Sequence, residues 1–197
     1  AEYGNRGRLP ASITFFVDVM TGIPSIVAGL FAYALMTLIV GPGAKFGFSG
    51  SVALSVLMIP VVVRSCEELL RLVPNELREA SYALGVPKWR TIVRVVIPTA
   101  ISGIVSGVIL AIARVIGETA PLLIAAGFAA SINNDPFSGP MTTLPVFVYD
   151  QYAHPGIDVQ PYWDRAWAGA LTLILIVMLL NLAGRLIARR FAPKIGR

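Results

Sequence analysis

Between Pro98 and Ala130 only two side chains carry a charge, Arg114 and Glu118. Four residues apart on a helix, they share a face and can pair. Charges within an apolar stretch long enough to cross a bilayer cost at least ~2.5 kcal/mol each and are functional by default. A guanidinium matches an oxyanion bidentately. Alone in a low-dielectric path it would hold the anion too firmly to release it, and Glu118 would neutralise Arg114 between passages. The carboxylate would also discriminate, favouring an oxyanion that still has a proton to donate near neutral pH over one that has none. Two structural readings stand beside this one, a pair that fixes helix orientation and a pair that snorkels to the outer interface.

These residues need a broken helix to hold them. Pro98 to Ala130 would make a straight helix about 50 Å long, too long for a hydrocarbon core of about 30 Å. Gly117 and Pro121 are the expected breaks. Arg114 lies about 24 Å beyond Pro98, in the outer half of the membrane. After a break at Glu118, Thr119 would cap a second half-helix starting near Pro121, with its positive end toward the same site. Alternatively, the Thr119 hydroxyl bonds back to a carbonyl in the turn above.

The composition sets the surroundings. Hydrophobic residues make up 56% of the 197 and charged residues 14%, against roughly 25% charged in a soluble domain. The mean hydropathy is +0.74. This is a membrane protein. A single cysteine, Cys66, excludes an intrachain disulfide, and a single histidine, His154, leaves no metal-ligand cluster. No G-x-x-x-x-G-K-[ST] sequence and no nucleophile–base arrangement occurs, so the chain is no enzyme and any ATP energy must come from elsewhere.

A basic, hydrophilic stretch, Arg64 to Arg94, interrupts the apolar runs. Pro74 suits a first helical position, and Glu76 and Glu79 the positive end of a helix. Gly85 can take the left-handed conformation that stops it. Pro87 opens a second short helix, expected to end before Pro98. Two short helices meeting at an angle make a docking elbow. Its small residues Ala80, Ser81, Ala83 and Gly85 permit close approach, and Glu79 offers a charged hydrogen bond. Arg78, Trp89 and Arg90 would pin the elbow to a membrane surface or a partner. The competing reading is an amphipathic interfacial helix beside anionic lipid, and for Trp89 alone that plainer reading is preferred.

Glu79-Ala80-Ser81, then Gly85, then Val95-Val96-Ile97-Pro98 after nine residues, resembles the signature E-A-A-x3-G-x9-I-x-L-P of ABC importer permeases. Ser81, Val95 and Ile97 are mild departures from it. Val73-Pro74-Asn75-Glu76-Leu77-Arg78 before it, and the run Ala113 to Leu123 after it, look like the PstA-type permeases of phosphate importers. The likeness covers nearly the whole chain. It implies an all-α polytopic fold of the type I (MetI-like) importer class in a bacterial or archaeal cell membrane. It also implies that Glu79, Ala80, Ser81, Gly85, Arg78 and Pro98 serve coupling to an ATPase, with Arg114, Glu118 and Thr119 on the substrate path. The implied partners are a homologous second permease, a cytoplasmic ATPase dimer that binds ATP and Mg, and an extracytoplasmic phosphate-binding protein. The chain itself binds no cofactor and no nucleic acid. Compared with that family, the chain starts in a cytoplasmic loop, with one or two upstream spans missing.

Residues 1–197 read as one permease domain with four spans. The first is roughly Ile13 to Val40, with Asp18 and Pro24 marking an interfacial entry or kink, and Gly41-Pro42-Gly43 ending it sharply. The second runs from about Ser49 to Val63, the third from Pro98, and the fourth from roughly Ala166 to Leu186. The coupling loop is 64–97 and the extracytoplasmic loop 125–165, with a short helix over Thr142 to Gln151. Basic residues gather in the elbow (Arg64, Arg71, Arg78, Lys88, Arg90, Arg94), the tail (Arg185, Arg189, Arg190, Lys194, Arg197) and the N-terminal stub (Arg6, Arg8). This puts the elbow and both ends of the chain in the cytoplasm.

Lesser candidates have plainer readings. Ser102-Gly103 and Ser106-Gly107 form a small face for helix packing, with lining of the path as runner-up. Asp18 is structural, Asn181 an interhelical hydrogen bond, and His154 inert. Three functions rival a phosphate importer: a permease for sulfate or molybdate, a proton-coupled carrier using Arg114 and Glu118 as a relay, and a structural half whose partner supplies selectivity.

Overall fold

The computed structural model describes residues 8–191. Arg6, Lys194 and Arg197, invoked for the orientation, lie outside them. Among the described residues there are nine α-helices and no strands. Fully buried side chains are small: the largest are Val96, Val146, Thr91, Pro60, Pro121 and Ser49. The large apolar residues point outward, as in Leu38, Leu110, Leu171, Met178 and Leu179. This inverts a soluble core and matches a bundle whose helices approach through small residues and face lipid with large ones. The protein is multi-pass: three helices are long and apolar enough to cross a membrane, or up to four if the bent pair is one span.

That bent pair corrects the expected first span. Helices α1 (Arg8–Thr21) and α2 (Ser25–Val40) meet at 107°. Pro24 caps α2 without a side-chain hydrogen bond and disfavours helical geometry at Ile23. The kink near Pro24 is therefore a full break. The 16 residues of α2 rise about 24 Å. Gly41 and Gly43 have φ of 112° and 82° and end α2 sharply, as expected.

Helix α3 (Gly47–Arg71) extends past the expected end at Val63. Its last turns are helix rather than loop because Arg64 pairs with Glu68 at 3.7 Å and Arg71 with Glu67 at 2.6 Å, each one turn apart. The elbow proper is α4 (Asn75–Ala83) and α5 (Lys88–Thr91). Gly85 lies between them at φ 71°, left-handed as expected.

The second short helix does not end before Pro98. It passes through a π turn, Ile92–Val96, into α6 (Ile97–Ile116), giving an unbroken helix from Lys88 to Ile116. Pro98 has no N–H for the Arg94 carbonyl, and its ring would crowd that carbonyl. The π turn absorbs the conflict: the Ile97 N–H reaches the Ile92 carbonyl, five residues back. The small face of α6 packs, as expected. A Cβ on Gly103 would stand 2.6 Å from Leu69 Cδ2, and one on Gly107 3.1 Å from Ser65 Cβ.

The break after α6 falls at Gly117, as the length argument requires, and α7 (Ala120–Ala125) follows. The segment between α7 and α9 is tied down. The Asn133 amide donates to the carbonyls of Ser138, Gly139 and Pro140, and the Thr142 hydroxyl donates to the Ala129 carbonyl at 2.6 Å. It contains the expected short helix, α8 (Leu144–Ala153). Helix α9 (Val159–Phe191) is longer at both ends than the apolar run. Its first turns are held to α8 by Arg165, which donates to Gln151 at 2.8 Å. Asn181 bonds the Val177 carbonyl of its own helix, not a neighbour. His154 ends α8 with Nδ1 3.4 Å from Asp150 Oδ1.

Candidate functional site

Arg114 and Glu118 come together on one cavity, and they do not pair. The cavity is about 200 Å³, between the α1–α2 break, the middle of α3 and the end of α6. Met20, Thr21, Ile23 and Ser25 form one wall, Leu57 and Val61 another, and Arg114, Val115 and Glu118 the third. Among the described residues no ion pair joins Arg114 to Glu118. The physical reason is local. An i,i+4 pair needs a continuous turn, and α6 ends at Ile116. The Glu118 N–H then closes a tighter bond to Val115 at 3.2 Å. Arg114 is exposed and Glu118 half-buried, which leaves the guanidinium open to a ligand.

Thr119 occupies the cap position of α7 but makes no side-chain cap bond. The six residues of α7 make too short a helix to form an anion site by themselves. Helix α7 is held from behind. A Cβ on Gly29 would lie 2.6 Å from Pro121 Cα, so α2 and the start of α7 are in backbone contact. Ala32, Ala53 and Ala125 form the small cluster behind that contact.

Two hydroxyls on this cavity went unread in the sequence, Thr21 and Ser25. They flank the Pro24 break, and a break of that kind with polar residues on both sides was the available signal. Asp18, one turn before Thr21, bonds Arg64 on α3 at 3.2 Å. It is structural as expected, joining α1 to α3.

In the elbow, two expectations change. Ser81 is not on the outer small face: it is buried, with its hydroxyl 2.8 Å from that of Thr91, which is fully buried. That bond ties α4 to α5 and fixes their angle. Arg78 also turns inward, with Nη1 2.6 Å from the Val73 carbonyl and 3.1 Å from Asn75 Oδ1, and Nη2 2.9 Å from the Leu70 carbonyl. A cation bridging the Leu70 carbonyl in the last turn of α3 and the Val73 carbonyl just past it satisfies groups the helix end leaves unpaired. Glu79, Ala80, Ala83, Gly85 and Pro98 are exposed. Leu84 is 83% exposed and Trp89 57% exposed, and Arg90 lies over the Trp89 ring at 5.2 Å. The outer surface of the elbow thus combines small, apolar and charged side chains over a hydrogen-bonded interior.

Comparison with known proteins bears on this arrangement. The family described as "Binding-protein-dependent transport system inner membrane component" matches residues 1–197. The phosphate transport system permease protein PstA 1 of Mycobacterium tuberculosis (strain CDC 1551 / Oshkosh) is 53% identical over 186 residues, covering 94% of this chain and 60% of the relative. The PstA protein of Yersinia pestis is 42% identical over 199 residues, covering 98% and 63%. The chain therefore spans about three fifths of the length of such relatives. Among solved structures, an inward-facing MetNI methionine ABC transporter superposes with a TM-score of 0.74 at 22% identity, over 93% of this chain and 76% of that one. This likeness supports the all-helical importer fold.

Proposed function

We propose, starting from the fact that this chain belongs to the family of binding-protein-dependent transport system inner membrane components, that it forms part of the phosphate path of an ATP-driven importer. The observation that carries the reading is the unpaired Arg114 guanidinium on a 200 Å³ cavity at a helix break, with Glu118 on the same wall. By the same measure of space a single water needs roughly 10–15 Å³, so a partly hydrated oxyanion fits. Phosphate accepts from Arg114 as a bidentate ligand, and the Ser25 hydroxyl on the same cavity shares its oxygens; the Thr21 hydroxyl is already given to the Asp18 carbonyl at 2.7 Å. Glu118 accepts a hydrogen bond from the protonated phosphate oxygen and repels fully deprotonated anions of similar shape.

The remaining parts of the reading concern the assembly. The exposed elbow surface around Glu79, Ala80, Leu84 and Gly85 docks on a cytoplasmic ATPase dimer, which binds ATP and Mg. A second, homologous permease completes the path, and an extracytoplasmic binding protein delivers phosphate to the outer segment. The elbow and both ends of this chain face the cytoplasm, in keeping with the basic residues gathered there. The relatives' names and the exposed elbow support this assignment.

The test uses the full chain in vesicles with its partner subunits. ATP-dependent uptake of labelled phosphate is followed for the parent and for Arg114→Gln, with assembly checked by co-purification. At least a hundredfold loss of uptake in an assembled complex is expected, and parental uptake by Arg114→Gln refutes the site. Glu118→Gln is expected to lose discrimination against sulfate in competition. If it excludes sulfate as well as the parent does, the proton-based part of the reading fails.

A further inference from the structure

Leu57, Val61 and Arg64 fall at i, i+4 and i+7 on α3, one face of the helix, and the first two line the anion cavity. On α1, Asp18 precedes Thr21, another wall residue, by three positions and shares its face. Arg64 Nη1 and Asp18 Oδ1 meet at 3.2 Å. The pair therefore joins the α1 wall to the α3 wall about 4.5 Å beyond Val61, on the side of the elbow.

Three features mark this bond as one that opens. Both partners are about half-exposed, 46% for Arg64 and 51% for Asp18, and ion pairs at such exposure are weak. Arg64 has a second acid within reach, Glu68, whose Oε1 is 3.7 Å from Nε, so the guanidinium keeps a partner when Asp18 leaves. Helix α1 is lightly held: it packs against α3, and Val17 is its one buried side chain between residues 11 and 21. Gly22, Ile23 and Pro24 lie outside both helices, where the chain turns through 107°.

We propose that the Asp18–Arg64 pair is the elbow-side gate of the cavity, opened when Arg64 passes from Asp18 to Glu68 and α1 swings about the hinge at residues 22–24. As a gate for an anion it rests on the cavity being the site proposed above. Closed, the pair holds the wall that carries Met20 and Thr21 against the wall that carries Leu57 and Val61. Open, the α1 wall moves away and the cavity communicates with the side on which the elbow lies. Because Arg64 exchanges one carboxylate for another, neither state leaves its charge without a partner.

The experiment uses the full chain in its assembled complex, in vesicles oriented with the elbow outward and with Cys66→Ser as background. Leu57→Cys places a thiol on the cavity about 10 Å behind Arg64. Its labelling by an impermeant, sulfonated methanethiosulfonate is timed without phosphate or ATP. Asp18→Asn and Arg64→Gln should each speed labelling about three- to fivefold, the effect of losing one weak ion pair. Asp18→Arg combined with Arg64→Asp rebuilds the pair in reverse and should restore the parental rate, a recovery that a loosened fold would not show. Glu68→Gln should slow labelling about twofold, since Arg64 then has Asp18 alone. Leu72→Cys, exposed at the elbow, should react at one rate in every background and so controls for delivery of the reagent. Rates within about 1.5-fold of the parent in both single variants overturn the proposal. So does a reversed pair that labels as fast as the singles, and an unchanged rate in Glu68→Gln overturns the handover. Labelling requires no transport, so this result stands apart from the phosphate assignment.

Discussion

Removing the Arg78 guanidinium should loosen the elbow where it joins α3. The side chain donates to the Leu70 and Val73 carbonyls and to Asn75 Oδ1. Two charge-assisted bonds to backbone carbonyls are worth about 1.5–3 kcal/mol each. Arg78 is only half-buried and water can replace part of what is lost, so about 2 kcal/mol is the reasonable net figure for Arg78→Ala. Alanine is a slightly better helix former than arginine, so intrinsic propensity does not mimic the effect. At 1.4 kcal/mol per tenfold, 2 kcal/mol is about a 30-fold change in local opening. Hydrogen exchange on the full chain in its assembled complex reads this directly. The Leu72 amide, bonded to Glu68, and the amides of α4 should exchange about 30-fold faster. Amides in the middle of α9 serve as the unchanged control. Arg78→Lys should recover only part of the protection, because an ammonium cannot span both carbonyls as the guanidinium fork does. Exchange within twofold of the parent in Arg78→Ala would refute the claim that these bonds hold the elbow. Full recovery in the lysine variant would show that charge alone suffices.

Thr91→Val keeps the shape of the buried side chain and strands the Ser81 hydroxyl, so it should cost about 1–2 kcal/mol in thermal stability of the purified protein. Adding Ser81→Ala should return part of that loss, giving a measurable coupling in a double-mutant cycle. Gly29→Ala would place a methyl 2.6 Å from Pro121 Cα and 2.9 Å from its carbonyl oxygen. Because the neighbour is backbone, α7 must shift, and a loss of about 1–3 kcal/mol in stability is expected, with reduced phosphate uptake in the same preparation.

The features legible in the sequence were those with local causes. Gly85 needed a left-handed turn, Gly117 had to end a helix too long for the membrane, and Gly103 and Gly107 marked a face of close approach; each depends on residue type and immediate spacing. The misread features depend on what the fold brings near. Arg78 was assigned to the outside because it is long, charged and near a membrane surface, yet its partners include carbonyls at and just past the end of the preceding helix. Ser81 reads as a small surface residue until Thr91, ten positions later, is seen to meet it. Pro98 looked like a helix boundary because the π turn that rescues it leaves no mark in a 3.6-residue pattern. The Arg114–Glu118 pair failed because the break, expected at Gly117 or Pro121 and falling at Gly117, also removes the register that pairing requires. The Asp18–Arg64 bond spans 46 positions and had no sequence signal.

The unbroken helix from Lys88 to Ile116 has a mechanical meaning. It is a rod with the elbow at one end and Arg114 near the other, pressed against α3 at Gly103 and Gly107. Taking that contact as a fulcrum, the elbow arm is about 26 Å and the Arg114 arm about 14 Å. A sideways push of about 4 Å at the elbow would swing Arg114 about 2 Å the opposite way, trading travel for force. On the function proposed above, such a swing would draw the guanidinium out of contact with a bound oxyanion.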